Sequence, residues 1–149
     1  MSTSVQLEQV DVRGPRFAAW VTSAVLVLVL AVATFSTVAA AALLAAQAVV
    51  FAIGALVGPR RSPYGRIYGG LVAPRLSPVT DKEPTPPLRF AQLLGFVFAA
   101  LGVLGFAVGV PVAGLVFTGF ALFAAFLNAA FGICLGCQLY PLVARLRTA

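Results

Sequence analysis

The chain has 149 residues, of which 61% are hydrophobic and 9% charged, with a net charge of +6 and no histidine. Soluble domains carry about 25% charged residues, so this composition argues against a water-soluble globule. The ten basic residues fall in three short segments between long uncharged runs. No nucleic-acid-binding motif accompanies them, so membrane lipid is the expected partner and nucleic acid is not.

Residues 1–16 contain Glu8 and Asp11 and do not form a positively charged leader. No small-residue cleavage site follows a short apolar core, so the first apolar run is expected to stay in the mature protein. That run, 17–57, holds 41 residues without a charge. One helix of that length would span about 60 Å, twice the hydrocarbon core. Two spans are therefore expected, 17–35 and 38–57, with a turn at the hydroxyl cluster Thr34, Ser36 and Thr37. The second uncharged run begins at Phe90 and breaks at Gly109-Val110-Pro111. It predicts spans over 90–109 and 112–137.

The fold class is thus an all-α membrane protein of four transmembrane helices in two hairpins, 17–57 and 90–137. Every basic residue lies before the first span, between spans two and three, or after span four. The positive-inside rule then places both termini and the loop 58–89 in the cytoplasm. In a bacterium the expected site is the cytoplasmic (inner) membrane, with 138–149 a cytoplasmic tail.

Within the loop, Ser62-Pro63 is an N-cap and first-turn pair, and Tyr64, Ile67, Tyr68, Leu71 and Val72 recur at helical spacing. With Arg60, Arg61 and Arg66 beside them, they predict a short interfacial helix whose arginines contact anionic lipid or a partner. The stretch 74–87 holds five prolines and is expected to be extended. A weak internal repeat relates Pro15-Arg16-Phe17-Ala18 to Pro87-Leu88-Arg89-Phe90-Ala91, and 51–56 to 131–136.

Few polar side chains interrupt the spans. Gln47 and Asn128 lie at similar depth and are expected to face the bundle interior, as packing hydrogen bonds or as a polar lining. Gly54/Gly58, Gly105/Gly109 and Gly132/Gly136 have the small-xxx-small spacing that permits close helix approach within the chain or in a homodimer.

Cys134 and Cys137, in Cys134-Leu135-Gly136-Cys137, are the only cysteines and the strongest candidates for chemistry. At the cytoplasmic end of span four they face a reducing compartment, which favours a cycling dithiol over a permanent disulfide. Cys137 would meet a partner first and Cys134 would resolve the mixed disulfide. A helix C-terminus disfavours thiolate, however, and two inert buried cysteines are the alternative. A closed zinc site needs four ligands, so neither metal nor cofactor is expected within one chain, and a site shared across a homodimer is left open.

Asp11-x-Arg13-Gly14-Pro15-Arg16-Phe17, Arg89-Phe90-Ala91-Gln92, Asn128 and Phe131-Gly132-x-Cys134-Leu135-Gly136-Cys137-x-x-Tyr140 together resemble the bacterial family called domain of unknown function 4395. The resemblance covers about 11 to 147. It implies a small bacterial inner-membrane protein of a type common in actinobacteria, with no assigned activity. It also favours a role for the paired cysteines in thiol or sulfur handling with thioredoxin-like or sulfurtransferase partners. The expected function is thiol–disulfide or sulfur handling through Cys134 and Cys137. The alternatives are a non-catalytic anchor or assembly subunit that docks a partner through its basic loop, and a small oligomeric transporter.

Overall fold

Each uncharged run folds as a helical hairpin in the computed structural model, which describes residues 9–78 and 81–148. Helix α1 (Arg13–Ala33) is followed by α2 (Thr37–Val57), and α4 (Thr85–Ala107) by α5 (Pro111–Phe131). The three-residue connections make the members of each pair antiparallel. Ser36 opens α2 by accepting the Ala39 N–H at 3.1 Å, and Pro111 occupies the first turn of α5. Both devices satisfy or remove an N–H that would otherwise lack a partner. All four helices are long and apolar enough to cross a membrane. At 1.5 Å per residue each spans about 32 Å, the thickness of a hydrocarbon core.

The helices close into a ring in which α2 packs on α4, α1 on α5, and each hairpin on itself. Leu26, Val29, Leu44, Phe51, Ala99, Phe106 and Ala121 form the shared core. The outside is equally apolar: Phe35 is 90% exposed, Val38 80% and Phe123 60%. Such a surface suits lipid rather than water, and the chain has the build of a multi-pass membrane protein.

Where lipid competes for every apolar surface, close fit replaces the hydrophobic effect as the source of helix association. A Cβ at Gly105 would stand 2.6 Å from the backbone nitrogen of Gly114, and one at Gly102 would stand 2.7 Å from a Leu44 methyl. The expected glycine pairs are split by this packing. Gly54, Gly105 and Gly136 are buried against Gln92, Gly114 and Ala91, whereas Gly58, Gly109 and Gly132 have positive φ and end helices. The spacing therefore serves packing and helix termination within the chain.

The basic residues are gathered at one end, and two of them hold it together. Arg89, in the first turns of α4, donates to the carbonyls of Ala55 and Leu56 at the end of α2. Arg16 donates to Ala129 O near the end of α5 at 3.3 Å. Each cation meets carbonyls that a helix terminus leaves open, where the helix dipole also favours positive charge.

The same end carries structure that periodicity did not announce. Strand β1 (Gln9–Asp11) pairs antiparallel with β2 (Lys82–Pro84), Val10 opposite Glu83. The N-terminal segment thus takes strand structure at Gln9–Asp11, and residues 1–8 lie outside the described residues. The 74–87 connector is extended only in part, with residues 79–80 outside the described residues. A 3-10 turn takes Ala73–Arg75, and α4 already begins at Thr85, with Pro86 and Pro87 in its first turn, where proline is tolerated.

The loop helix α3 (Pro63–Ile67) forms as expected, with Ser62 accepting the Gly65 N–H at 3.2 Å, and continues as a π-helical turn, Tyr68–Val72. It is tied to the bundle at two points. The Tyr64 hydroxyl donates to Gln47 Oε1 at 2.6 Å, and the Tyr68 hydroxyl to Asp11 Oδ2 at 2.7 Å. Asp11 also accepts from the backbone and guanidinium of Arg13, whose Nη2 reaches Ser77 O. Burial pushes the Asp11 carboxyl up, but the Arg13 and Tyr68 hydrogen bonds outweigh it and hold the group at about 2 against an ordinary 3.8.

Two measurements check this account. Gly105→Ala forces α4 from α5 and is expected to cost about 1–3 kcal/mol in detergent unfolding. Gly119→Ala, whose Cβ meets open space, is expected to stay within about 0.5 kcal/mol of the parent. Because folding depresses the Asp11 carboxyl, its contribution is whole above about pH 4 and is lost as the pH falls toward 2. Asp11→Asn is therefore expected to lower the unfolding temperature at pH 7 by about 2–8 °C. The difference from the parent should shrink as the pH falls through that window, and a constant difference would refute the assignment.

Candidate functional site

The cysteine pair sits beyond the last long helix. Span four, expected to run to residue 137, ends at Phe131. Gly132 takes φ 70° and ψ 17°, a left-handed conformation that glycine adopts without the penalty a Cβ brings. Its N–H donates to Asn128 O at 3.1 Å and that of Ile133 to Leu127 O at 3.2 Å, so carbonyls of the last turn are satisfied. The chain then enters a separate helix, α6 (Leu135–Thr148).

This break changes the environment of the cysteines. Cys134 is the N-cap of α6: its carbonyl accepts the Gln138 N–H at 3.0 Å, and its Sγ accepts the Cys137 N–H at 3.1 Å. The expected placement at a helix C-terminus is thereby reversed. A helix N-terminus presents open N–H groups and positive potential, and both favour a thiolate at Cys134.

The two sulfurs are bonded in the structure, with Cα atoms 5.1 Å apart. Both residues are partly buried. Helix α6 is held on the first turns of α4: a Cβ at Gly136 would stand 2.6 Å from Ala91 Cα, and Tyr140 lies against Phe90 with ring centroids 5.9 Å apart. Pro141 stands inside α6 and removes the N–H that would bond the Cys137 carbonyl, loosening the helix one turn beyond the pair. The expected repeat is not reproduced here, since 51–56 lies within α2 while 131–136 spans the break.

A cavity of about 920 Å³ opens beside Cys134. It runs between α1, α4 and α5 in the half of the bundle nearest the charged end, past Thr22, Phe98 and Phe120. Arg60, Arg66, Asp11 and Lys82 stand at its mouth. Asn128 and Gln92 line it, as does Cys134, whereas Cys137 does not.

The expected site residues are thus partly brought together. Asn128 and Cys134 share the cavity. Arg60 and Arg66 border it with exposed side chains, and Arg61 is exposed elsewhere. Gln47 does not line it. It is 1% exposed, bonded to Tyr64, with its Nε2 lacking a partner among the described residues. Its role is to anchor the loop helix. Gln92 takes the lining position that depth alone assigned to Gln47. The signal for it was its place three residues after Arg89, on the face that meets α2 at Gly54.

No curated protein and no solved structure matches the chain. The family model described as Domain of unknown function (DUF4395) matches residues 10–145, and the chain belongs to that family.

Proposed function

We propose that the chain is a cytoplasmic-membrane thiol–disulfide exchange protein whose Cys134–Cys137 pair serves a soluble thiol partner on the cytoplasmic side. The observation that carries this reading is Cys134 as the N-cap of α6, its sulfur accepting the Cys137 N–H. The gathering of basic residues at the end that holds the pair supports the orientation. The exposed Arg60, Arg61 and Arg66 offer that partner, or anionic lipid, a cationic surface.

The chemistry follows from the unequal sulfurs. A partner thiolate attacks Cys137 Sγ, the S–S bond breaks, and the electron pair leaves on Cys134, where the helix terminus stabilises it. The partner's second thiolate then attacks the partner sulfur of the mixed disulfide and releases Cys137. The partner ends as a disulfide, and the chain as a dithiol after Cys134 and Cys137 each take a proton. In the reverse sequence the Cys137 thiolate attacks the partner disulfide, the Cys134 thiolate then attacks Cys137 Sγ and expels the partner thiolate, and Pro141 leaves α6 free to flex as the bond opens and closes.

Single-cysteine variants in native membranes test this. With reduced protein at pH 7, Cys134 in Cys137→Ala is expected to alkylate about tenfold faster than Cys137 in Cys134→Ala, reflecting its thiolate fraction. In glutathione buffers of graded potential the wild-type pair should convert reversibly between two thiols and none. A pair that keeps one alkylation state across all buffers, with equal and slow single-variant rates, would be inert, and the proposal would fall to the anchor reading.

A further inference from the structure

We infer that the cavity beside Cys134 binds a lipophilic quinone, which re-oxidises the Cys134–Cys137 dithiol. The inference rests on the exchange reading and names what completes its cycle. Each round with a soluble dithiol leaves the pair holding two electrons and two protons more than the disulfide. A pair that turns over must pass both onward, and the cavity side of the pair is apolar and enclosed by membrane-crossing helices. Quinones are lipid-soluble acceptors of two electrons and two protons.

The cavity matches that occupant in size and lining. Its volume of about 920 Å³ lies at the upper end of the roughly 300–1,000 Å³ that drug-sized ligands occupy. Phe98, Phe120, Phe123 and Leu94 supply apolar wall for a ring and the first part of an isoprenoid tail. The amides of Gln92 and Asn128 line the same space, and each carries an N–H₂ able to donate to a ring carbonyl. Cys134 is the sulfur on that wall, and it is also the one that the helix terminus favours as thiolate.

The step balances. The Cys134 thiolate adds to a ring carbon of the quinone, which places the electron pair on the ring oxygens. The Cys137 thiolate then attacks Cys134 Sγ, the S–S bond forms, and the carbon–sulfur bond breaks. The ring departs with two electrons and takes up two protons, equal to those the thiols released. The pair is oxidised to the disulfide and the quinone is reduced to quinol.

The test uses the full chain in detergent micelles, reduced, freed of reductant, kept anaerobic and mixed with a benzoquinone bearing a short isoprenoid tail. One quinol is expected for each disulfide formed, at least about tenfold faster than from a Cys-Leu-Gly-Cys peptide in the same micelles. Ala125→Phe fills the cavity away from the sulfurs and is expected to slow quinone reduction about tenfold at low quinone. Equilibration of the pair with glutathione should be unchanged in that variant. Asn128→Leu, which adds little bulk, is expected to raise the quinone KM about fivefold with a smaller effect on kcat.

Rates equal to the peptide's, or unchanged in both variants, overturn the inference. So does native mass spectrometry that finds a phospholipid held in the wild type, lost in Ala125→Phe and not displaced by quinone. Glutathione equilibration without quinone reduction removes the quinone alone. Quinone reduction without glutathione equilibration removes the exchange reading instead.

Discussion

The left-handed turn at Gly132 is the constraint from which the candidate site follows. Were α5 to continue through residue 137, Cys134 and Cys137 would sit at the negative end of a helix, where a thiolate is disfavoured. With φ at 70°, the chain leaves α5 and starts a new helix at Leu135, three residues later. The same two cysteines then occupy a positive helix end. An alanine at Gly132 would adopt that conformation only at a cost of about 1–2 kcal/mol, so the residue type fixes the electrostatic sign of the site.

The bundle divides into a tight half and an open half by the same kind of local cause. Toward the turns, Gly105 and Gly114 bring α4 and α5 into backbone-level contact, Gly102 takes a Leu44 methyl of α2, and the buried core fills the space. Toward the charged end, Ala124 and Ala125 are small, and the cavity opens beside them. That end is stabilised by polar contacts instead. Arg16 and Arg89 close helix ends, and Asp11 ties β1 to α1 and to Tyr68. The polar contacts hold the rim of a space that the apolar residues leave unfilled, and α6 lies across one side of it through Gly136 and Ala91.

The long helices were legible because lipid makes one demand on sequence, an uncharged run of fixed length, and both runs meet it. The turns at Ser36 and Pro111 and the N-cap at Ser62 were legible because each depends on residues adjacent in sequence. The end of α5 was not. Gly132 lies between Phe131 and Ile133 in a stretch where hydropathy does not change, and nothing local distinguishes it from Gly136, which packs inside α6. The pairing of Gln9–Asp11 with Lys82–Pro84 was hidden for another reason: two three-residue strands far apart in sequence leave no periodic trace. Gln47 and Asn128 were matched by depth, which sequence supplies. Rotation about the helix axis decides which amide faces the cavity, and in α2, apolar nearly all round, no polar stripe reveals it.

The two cysteines face different surroundings, and that asymmetry bears on mechanism. Cys134 borders an apolar cavity within the bundle, while Cys137 lies one helical turn on and outside it. A dithiol whose sulfurs open to separate surroundings can pass electrons between a water-soluble donor and a membrane-soluble acceptor without the two meeting. Leaving-group chemistry selects the sulfur that a partner would attack. In the proposed exchange, attack by the soluble partner would fall on Cys137 because that releases the stabilised thiolate at Cys134, and this thiolate would arise on the wall of the cavity. The first proposed half-reaction would thus end with the reactive atom where the second begins. A pair placed at the end of a continuous α5 would lack both the stabilised thiolate and the partition between two phases.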